Sequence, residues 1–302
     1  MLPLTGGDFH RAEGVSCHAL LWRLRQSYEG MPEGYPTRRK TAALVREPFF
    51  VQISDTHLFS DPSAKLWDVA PEAMLDRALE ELPKLGKPSF ILMTGDCSSD
   101  GSRNSYQRLQ QKLDRFEVPV YYLPGNHDDA ATMAKLYLGK DLPPREKLTQ
   151  TFEALGWRFV LLDSSVPGED GGELGDAQRA WLRSTLAAHP STQTIVVVHH
   201  NPMPVGSAWL DTMTIADANA LAAILETSSQ VRAVLFGHIH QVFETRRNGA
   251  QYLSAPSTFF QFKPHSDRFG KDDRPPGVRV IRLNGDSVRS AVYRFGEPLP
   301  PI

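Results

Sequence analysis

An α/β sandwich, a mostly parallel central sheet and a second sheet with flanking helices, is the fold class the sequence predicts, and three observations carry it. From Pro48 onward, short apolar, β-branched runs alternate with amphipathic helical stretches, the pattern of βαβ units covered on both faces. After residue 240 the helical stretches stop and hairpin-like runs take over. The chain has 302 residues, 41% of them hydrophobic, enough for one sizeable core.

PFFVQIS (48–54) is the first strand. Behind it Met74, Leu75, Ala78, Leu79, Leu82 and Leu85 recur on one helical face. SFILMT, a polar helix over Tyr106–Phe116, VPVYYL and a helix over Ala130–Tyr137 come next. WRFVLLDS, a helix over Asp176–Ala188, TIVVVH, a helix over Ala216–Glu226 and VRAVLFG continue the alternation. These strands read as a mostly parallel central sheet. In the tail, VFETRRNGAQYLSAP predicts a hairpin turning at Asn248-Gly249, and GVRVIRL and SVRSAVYRF predict two strands around Asn284-Gly285. Together they read as a second, β-only layer. Residues 48–302 thus form the expected globular domain. Residues 1–47 read as a poorly ordered or helical arm of unreadable role, with a short helix over Cys17–Glu29, a basic turn after it and Met31 as an alternative start.

Composition excludes several classes. No apolar run approaches ~18 residues, so no membrane span is expected. MLPLTGGDFHRAEG lacks the basic start and apolar stretch of a secretory signal. Two cysteines, Cys17 and Cys97, cannot make a disulfide framework and suit a reducing cytoplasm. A net charge of −2 without a long Lys/Arg run argues against general affinity for nucleic acid. The oligomeric state is not legible.

The chemistry lies at the ends of the strands. Asp55-Thr56-His57 comes after PFFVQIS, Gly95-Asp96 after SFILMT, and Gly125-Asn126-His127-Asp128 after VPVYYLP. TIVVVH ends at His199-His200, and VRAVLF runs into Gly237-His238-Ile239-His240. Six of the ten histidines fall in these short segments. In an α/β sheet the carboxyl ends of the strands share one edge, so these groups converge. Carboxylates, imidazoles and an amide without a thiolate suit ions such as Fe, Mn or Zn. Seven ligands oversupply one ion, and two ions sharing a carboxylate fit better. Arg38-Arg39-Lys40 reads as a solvated cluster; His10, His18, His189 and His265 read as surface histidines, and Cys97 as a small buried residue behind the site. Of the tryptophans, Trp209 is placed at the substrate mouth by its position in the motif.

D-x-H, G-D, G-N-H-D, H-H and G-H-x-H in this order resemble the motif set of the calcineurin-like metallophosphoesterases, which implies an α/β, metallophosphoesterase-like β-sandwich of two mixed sheets flanked by helices. HHNPMPVGSAWLD and GHIHQVF, then APSTFFQFKPHSDRFGKDDRPPGVRVIRL, further resemble the bacterial class III 3′,5′-cyclic-AMP phosphodiesterases of the CpdA type, from about Phe50 to Phe295. The resemblance implies two metal ions per chain, Fe or Mn before Zn. Asp55, His57 and His240 would hold one, Asn126, His199 and His238 the other, and Asp96 would bridge them. It implies hydrolysis of cyclic AMP to 5′-AMP by a metal-bridging hydroxide, with His127 protonating the 3′ oxygen and Asp128 orienting His127. His57, Asp96, Asn126, His127, His240 and His200 would contact the substrate; His200, the neighbour of the aligned ligand, is the less expected of the two as a ligand itself. The alternative is a two-metal phosphodiesterase acting on other small diesters or on 2′,3′-cyclic nucleotides.

Overall fold

The computed structural model describes residues 47–300. Residues 1–46 of the expected arm, with its helix, the alternative start, the basic cluster, Cys17, Trp22, His10 and His18, lie outside the described residues.

Strands β1 (Phe49–Ile53), β2 (Ile91–Thr94) and β3 (Val120–Leu123) pair in parallel, connected by helices α1 (Pro71–Glu81, continued by a 3₁₀ turn over Leu82–Leu85) and α2 (Arg103–Asp114). Helix α3 (Ala130–Leu138) is next, then β4 (Gln150–Ala154), β5 (Trp157–Leu162), α4 (Gly175–Ala187), β6 (Thr194–Val198), the short α5 (Ala208–Asp211), α6 (Ala218–Glu226) and β7 (Val231–Phe236). The tail supplies β8 (Glu244–Arg247), β9 (Ala250–Ser254), a small β10–β11 hairpin (Gln261–Phe262, Lys271–Asp272), β12 (Gly277–Asn284) and β13 (Ser287–Arg294). One sheet has the order β13-β12-β1-β2-β3, the other β4-β5-β6-β7-β9-β8. Each is mixed: β12 pairs antiparallel with both β1 and β13 on the first, and β4 and β8 pair antiparallel with β5 and β9 on the second.

Period-two alternation explains the layers. In β1, Phe49, Val51 and Ile53 face α1 and α2, whereas Phe50 faces the second sheet. In β6, Val196 and Val198 face α4 and α6, whereas Ile195 and Val197 face the first sheet. Both faces are buried, so both are apolar, and the result is a helix–sheet–sheet–helix sandwich. Gln52, buried between the sheets, donates from Nε2 to Thr94 Oγ1 (3.1 Å) on one sheet and to the Phe236 carbonyl (3.0 Å) on the other.

Two expectations are corrected. The apolar strands do not form one central sheet: β1 to β3 and β5 to β7 lie in different sheets. Nor does the tail form its own layer, because β12 pairs with β1 while β9 pairs with β7. The physical reason is edge pairing. Each set of parallel strands has an open edge, beside β1 in one and β7 in the other, and a tail strand satisfies its backbone groups there. Strand β4 is a short, half-exposed edge strand without an apolar run, so the sequence pattern gives no sign of it. Among the described residues no helix is long and apolar enough to cross a membrane.

Candidate metal centre

The carboxyl ends of β1, β2, β3, β6 and β7 meet at one edge of the sandwich, where loop backbones lock together. Asp55 N–H donates to the Gly95 carbonyl (3.0 Å), His57 N–H to that of Asp96 (2.9 Å), and Gly237 N–H to that of His199 (3.0 Å). The two sheets therefore present their residues to one place. Asp55, His57, Asp96, His238 and His240 all have positive φ, between 45° and 65°. Such non-glycine residues cost ~1–3 kcal/mol each and persist where the surroundings over-determine them. Concentrated at one edge, they mark a site.

Two groups of side chains share Asp96. His57 Nε2 lies 3.6 Å from Asp96 Oδ2 and 3.1 Å from His240 Nε2, which is 3.4 Å from Asp55 Oδ1. On the other side His199 Nε2 lies 3.4 Å from the same Asp96 Oδ2 and 3.2 Å from Asn126 Oδ1, and His238 Nδ1 is 3.1 Å from that amide oxygen. All seven expected ligand residues are brought together.

The second nitrogen of three imidazoles is anchored from behind. His199 Nδ1 donates to the Thr94 carbonyl (2.8 Å) and His240 Nδ1 to the Phe260 carbonyl (3.0 Å), which turns each Nε2 lone pair toward the centre. His57 Nδ1 faces Ser99 Oγ at 3.3 Å.

The donor set fits metal ions. Burial works to raise both carboxyls, but His240 beside Asp55 and His199 beside Asp96 outweigh it and hold each below the ordinary carboxylate range. Burial holds His57 down at about 3 and His238 well below its usual value, so both are neutral ligands in waiting. His199 resists burial and is pushed up to about 9, chiefly by the Asp96 carboxylate. Asp55 Oδ2 is buried with no hydrogen-bond partner among the described residues. A buried anionic oxygen left so is costly unless a cation meets it.

His127 is exposed at the rim, its N–H donating to Asp96 Oδ1 (3.0 Å) and its ring edge-on to His57 with centroids 5.0 Å apart. Asp128, expected to orient that ring, turns elsewhere. Its carboxylate accepts from the N–H groups of Gly125 (2.9 Å), Cys97 (3.1 Å) and Ser98 (2.9 Å) and from the Tyr106 hydroxyl (3.0 Å). Burial and the charge of Asp96 push its pKa up to about 6 against those bonds. It thus ties the Asp96 loop to the Asn126 loop. His200 is fully buried and does not line the cavity over the site. Its Nδ1 is 2.7 Å from Ser164 Oγ, its Nε2 3.2 Å from the Asp170 carbonyl, and its ring packs 4.6 Å from that of His238. Both nitrogens are engaged, and its ring meets the centre against His238 and, edge-on at 5.0 Å, against His199. Cys97 is buried in the core behind the site, and burial pushes its thiol well up.

Gly125 shows how closely the backbone approaches. A Cβ there would stand 2.1 Å from Asp96 Oδ1 and 2.5 Å from its nitrogen. Gly125→Ala must therefore displace the shared carboxylate. The expected result is Mn²⁺ affinity weakened by ~10–100-fold, as for other disturbances behind a ligand, with the fold retained. Metal titration monitored by calorimetry checks this; unchanged affinity contradicts the arrangement.

Over the site opens a cavity of about 380 Å³. Its floor is His57, Asp96, Asn126, His127, His238 and His240, and its walls are Trp67, Trp209, Phe260, Phe262 and Phe269 with Leu66, Met213 and Asp170. Trp209 lines this cavity, half-buried, where its motif position suggested a place near the substrate. The phenylalanine walls were missed. Phe260 and Phe262 lie in the APSTFFQFKP run that carried the resemblance, but an aromatic in sequence reads first as core. Trp67, like the other tryptophans, reads in sequence as a core or pocket-rim residue, with nothing to tell the two apart.

Two clusters of nitrogen and oxygen donors sharing one carboxylate, at the carboxyl edge of a helix-flanked sandwich, define a two-metal phosphoesterase. The chain belongs to the calcineurin-like phosphoesterase family, which it matches over residues 50–242. It is similar to the 3′,5′-cyclic adenosine monophosphate phosphodiesterase CpdA of Haemophilus influenzae, 37% identical over 247 residues that cover 81% of this chain and 89% of that protein. The CpdA of Escherichia coli K12 is 34% identical over 249 residues, 82% of this chain and 90% of the relative. A 3′,5′-cyclic-nucleotide phosphodiesterase of a Nostoc species is 38% identical over 241 residues, 78% of this chain and 88% of the other. Among solved structures, a dimetal phosphatase from Danio rerio shares the fold with a TM-score of 0.60 at 16% identity, covering 82% of this chain and 99% of that one.

Proposed function

We propose that the domain at residues 48–302 hydrolyses 3′,5′-cyclic AMP to 5′-AMP in the cytoplasm, with Fe or Mn, or else Zn, in its two-metal site. The observation that carries this reading is the joining of an aromatic-walled cavity to the ligand clusters. About 380 Å³ is within the range of small-molecule sites; one end suits a phosphodiester and the other an apolar, planar group. The names of the relatives point to the same substrate. A scarcity of cysteine supports a reducing compartment.

Asp55, His57, Asp96 and His240 would hold one ion, and Asp96, Asn126, His199 and His238 the other. Two such ions supply polarisation of the phosphoryl oxygens and a water acidic enough to ionise near neutral pH. The chain supplies the rest. His57, Asp96, Asn126, His127 and His240 border the diester at the cavity floor. His127, exposed and free to reach the leaving group, protonates the 3′ oxygen as its bond to phosphorus breaks. Its backbone bond to Asp96 keeps it beside the shared carboxylate. Asp128 is a positioning residue, holding the two loops that carry Asp96 and Asn126. His200 supports the phosphate end through the His238 ring.

The test is a comparison of kcat/KM for 3′,5′-cyclic AMP, 2′,3′-cyclic AMP and bis-p-nitrophenyl phosphate on Mn²⁺-loaded protein. The expected result is a clear preference for the 3′,5′-cyclic substrate, with 5′-AMP as product. Turnover of the artificial diester alone keeps the two-metal site and rejects the substrate.

A further inference from the structure

Of the side chains around the cavity, Trp67 is the least explained by folding. Among the described residues only three large hydrophobic side chains are exposed: Trp67 (45%), Phe269 (46%) and Leu299. Two of the three stand together at the mouth of this cavity, their rings 4.8 Å apart. Trp67 also has a φ of +49° and Asp68 one of +66°. The two form a tight turn, closed by Leu66 N–H to the Val69 carbonyl (3.0 Å) and Val69 N–H to the Leu66 carbonyl (3.1 Å). Turns with positive φ at both central residues favour glycine, asparagine and aspartate. A bulky tryptophan in that position is an outlier, and neither its backbone nor its exposed ring is what a folding optimum asks for. Strain kept at a cavity rim is a pointer to function.

The ring is nevertheless held in place. It meets Phe260 edge-on at 5.0 Å, and Lys271 Nζ donates to its carbonyl at 2.8 Å. From Phe269 the aromatic wall runs inward through Phe262, centroids 5.7 Å apart, to His240, whose ring stacks on Phe262 at 4.3 Å and 19°. A continuous aromatic path thus leads from the rim to a residue of the metal centre. Outside the ligand clusters and His127, the only charged residue lining the cavity is Asp170. The rim thus offers aromatic π-faces, with the Lys271 ammonium 6.0 Å from the Trp67 ring centroid.

We infer that Trp67 and Phe269, packed on each other at the rim, form an aromatic platform on which the purine base of the cyclic nucleotide stacks while the phosphate occupies the floor. This rests on the reading of the substrate given above. It makes the two residues determinants of KM and leaves the chemical step to the floor.

The experiment compares cyclic AMP with its base-free analogue, 1-deoxyribose 3′,5′-cyclic phosphate, on Mn²⁺-loaded wild type, Trp67→Asn, Trp67→Phe and Phe269→Ala. Asparagine suits the turn, so that variant keeps the loop while losing the ring. The expected result is a KM for cyclic AMP raised about 10-fold or more in Trp67→Asn, with kcat little changed. Trp67→Phe recovers most of the loss, and the base-free analogue shows the same kcat/KM in every variant. An equal loss on both substrates, or no loss on cyclic AMP, overturns the platform. Equilibrium dialysis of 5′-AMP separates the platform from the substrate reading. Should the wild type not hydrolyse cyclic AMP, AMP binding that is weakened in Trp67→Asn still supports the platform, and binding equal in both overturns it.

Discussion

Asp96→Asn abolishes metal-dependent turnover, lowering kcat by more than ~10³-fold, and does so without unfolding the protein. Asp96 is the one side chain common to both ligand clusters, with Oδ2 3.6 Å from His57 Nε2 and 3.4 Å from His199 Nε2. Removing its charge weakens both ions at once, so the effect exceeds the ~10²–10³-fold cost of one lost electrostatic contact in other enzymes. The asparagine variant is chosen for two structural reasons. Residue 96 has a φ of +50°, which asparagine tolerates better than most residues. Asparagine also keeps an oxygen to accept the His127 N–H, now bonded to Asp96 Oδ1 at 3.0 Å. The measurement is turnover with saturating Mn²⁺, beside a thermal melt of the metal-free forms. Activity within ten-fold of wild type would refute the shared role of Asp96.

His127→Ala keeps both ions and loses rate, by ~10²–10⁴-fold on cyclic AMP if its task is proton donation. The ring is exposed at the rim, and only its backbone touches Asp96, so the ligand geometry survives the change. Leaving-group dependence gives the sharper readout. A 3′ alkoxide is a poor leaving group and needs its proton, whereas p-nitrophenolate departs without one. The loss is therefore expected to be much smaller on bis-p-nitrophenyl phosphate than on cyclic AMP. A variant that loses a metal ion, or loses equally on both substrates, contradicts general acid catalysis by His127.

The convergence of the candidate ligands was legible because coordination chemistry restricts both residue type and place. Asp55, His57, Asp96, Asn126, His199, His238 and His240 each stand just past an apolar strand, and strand ends share an edge whichever sheet they belong to. The partition of those strands into two sheets was not legible. TIVVVH and VRAVLF are apolar on both faces, and that pattern is the same whether the covering layer is a helix or another sheet. For Asp128, three of the four partners are backbone N–H groups, two of them about 30 residues away in Cys97 and Ser98. A backbone donor leaves no mark on a sequence, so the neighbouring His127 was the only partner in view. Trp67 illustrates the opposite case. Its interest lies in a positive φ and an exposed ring, and both are properties of the folded chain.

The most direct measurement of the central claim is a titration of chelator-stripped protein with Mn²⁺ while 5′-AMP released from cyclic AMP is recorded. Two clusters joined by one carboxylate require two ions, so the rate is expected to rise to a plateau at two equivalents per chain. A plateau at one equivalent, or no release of 5′-AMP at any metal concentration, would contradict a two-metal cyclic-AMP phosphodiesterase.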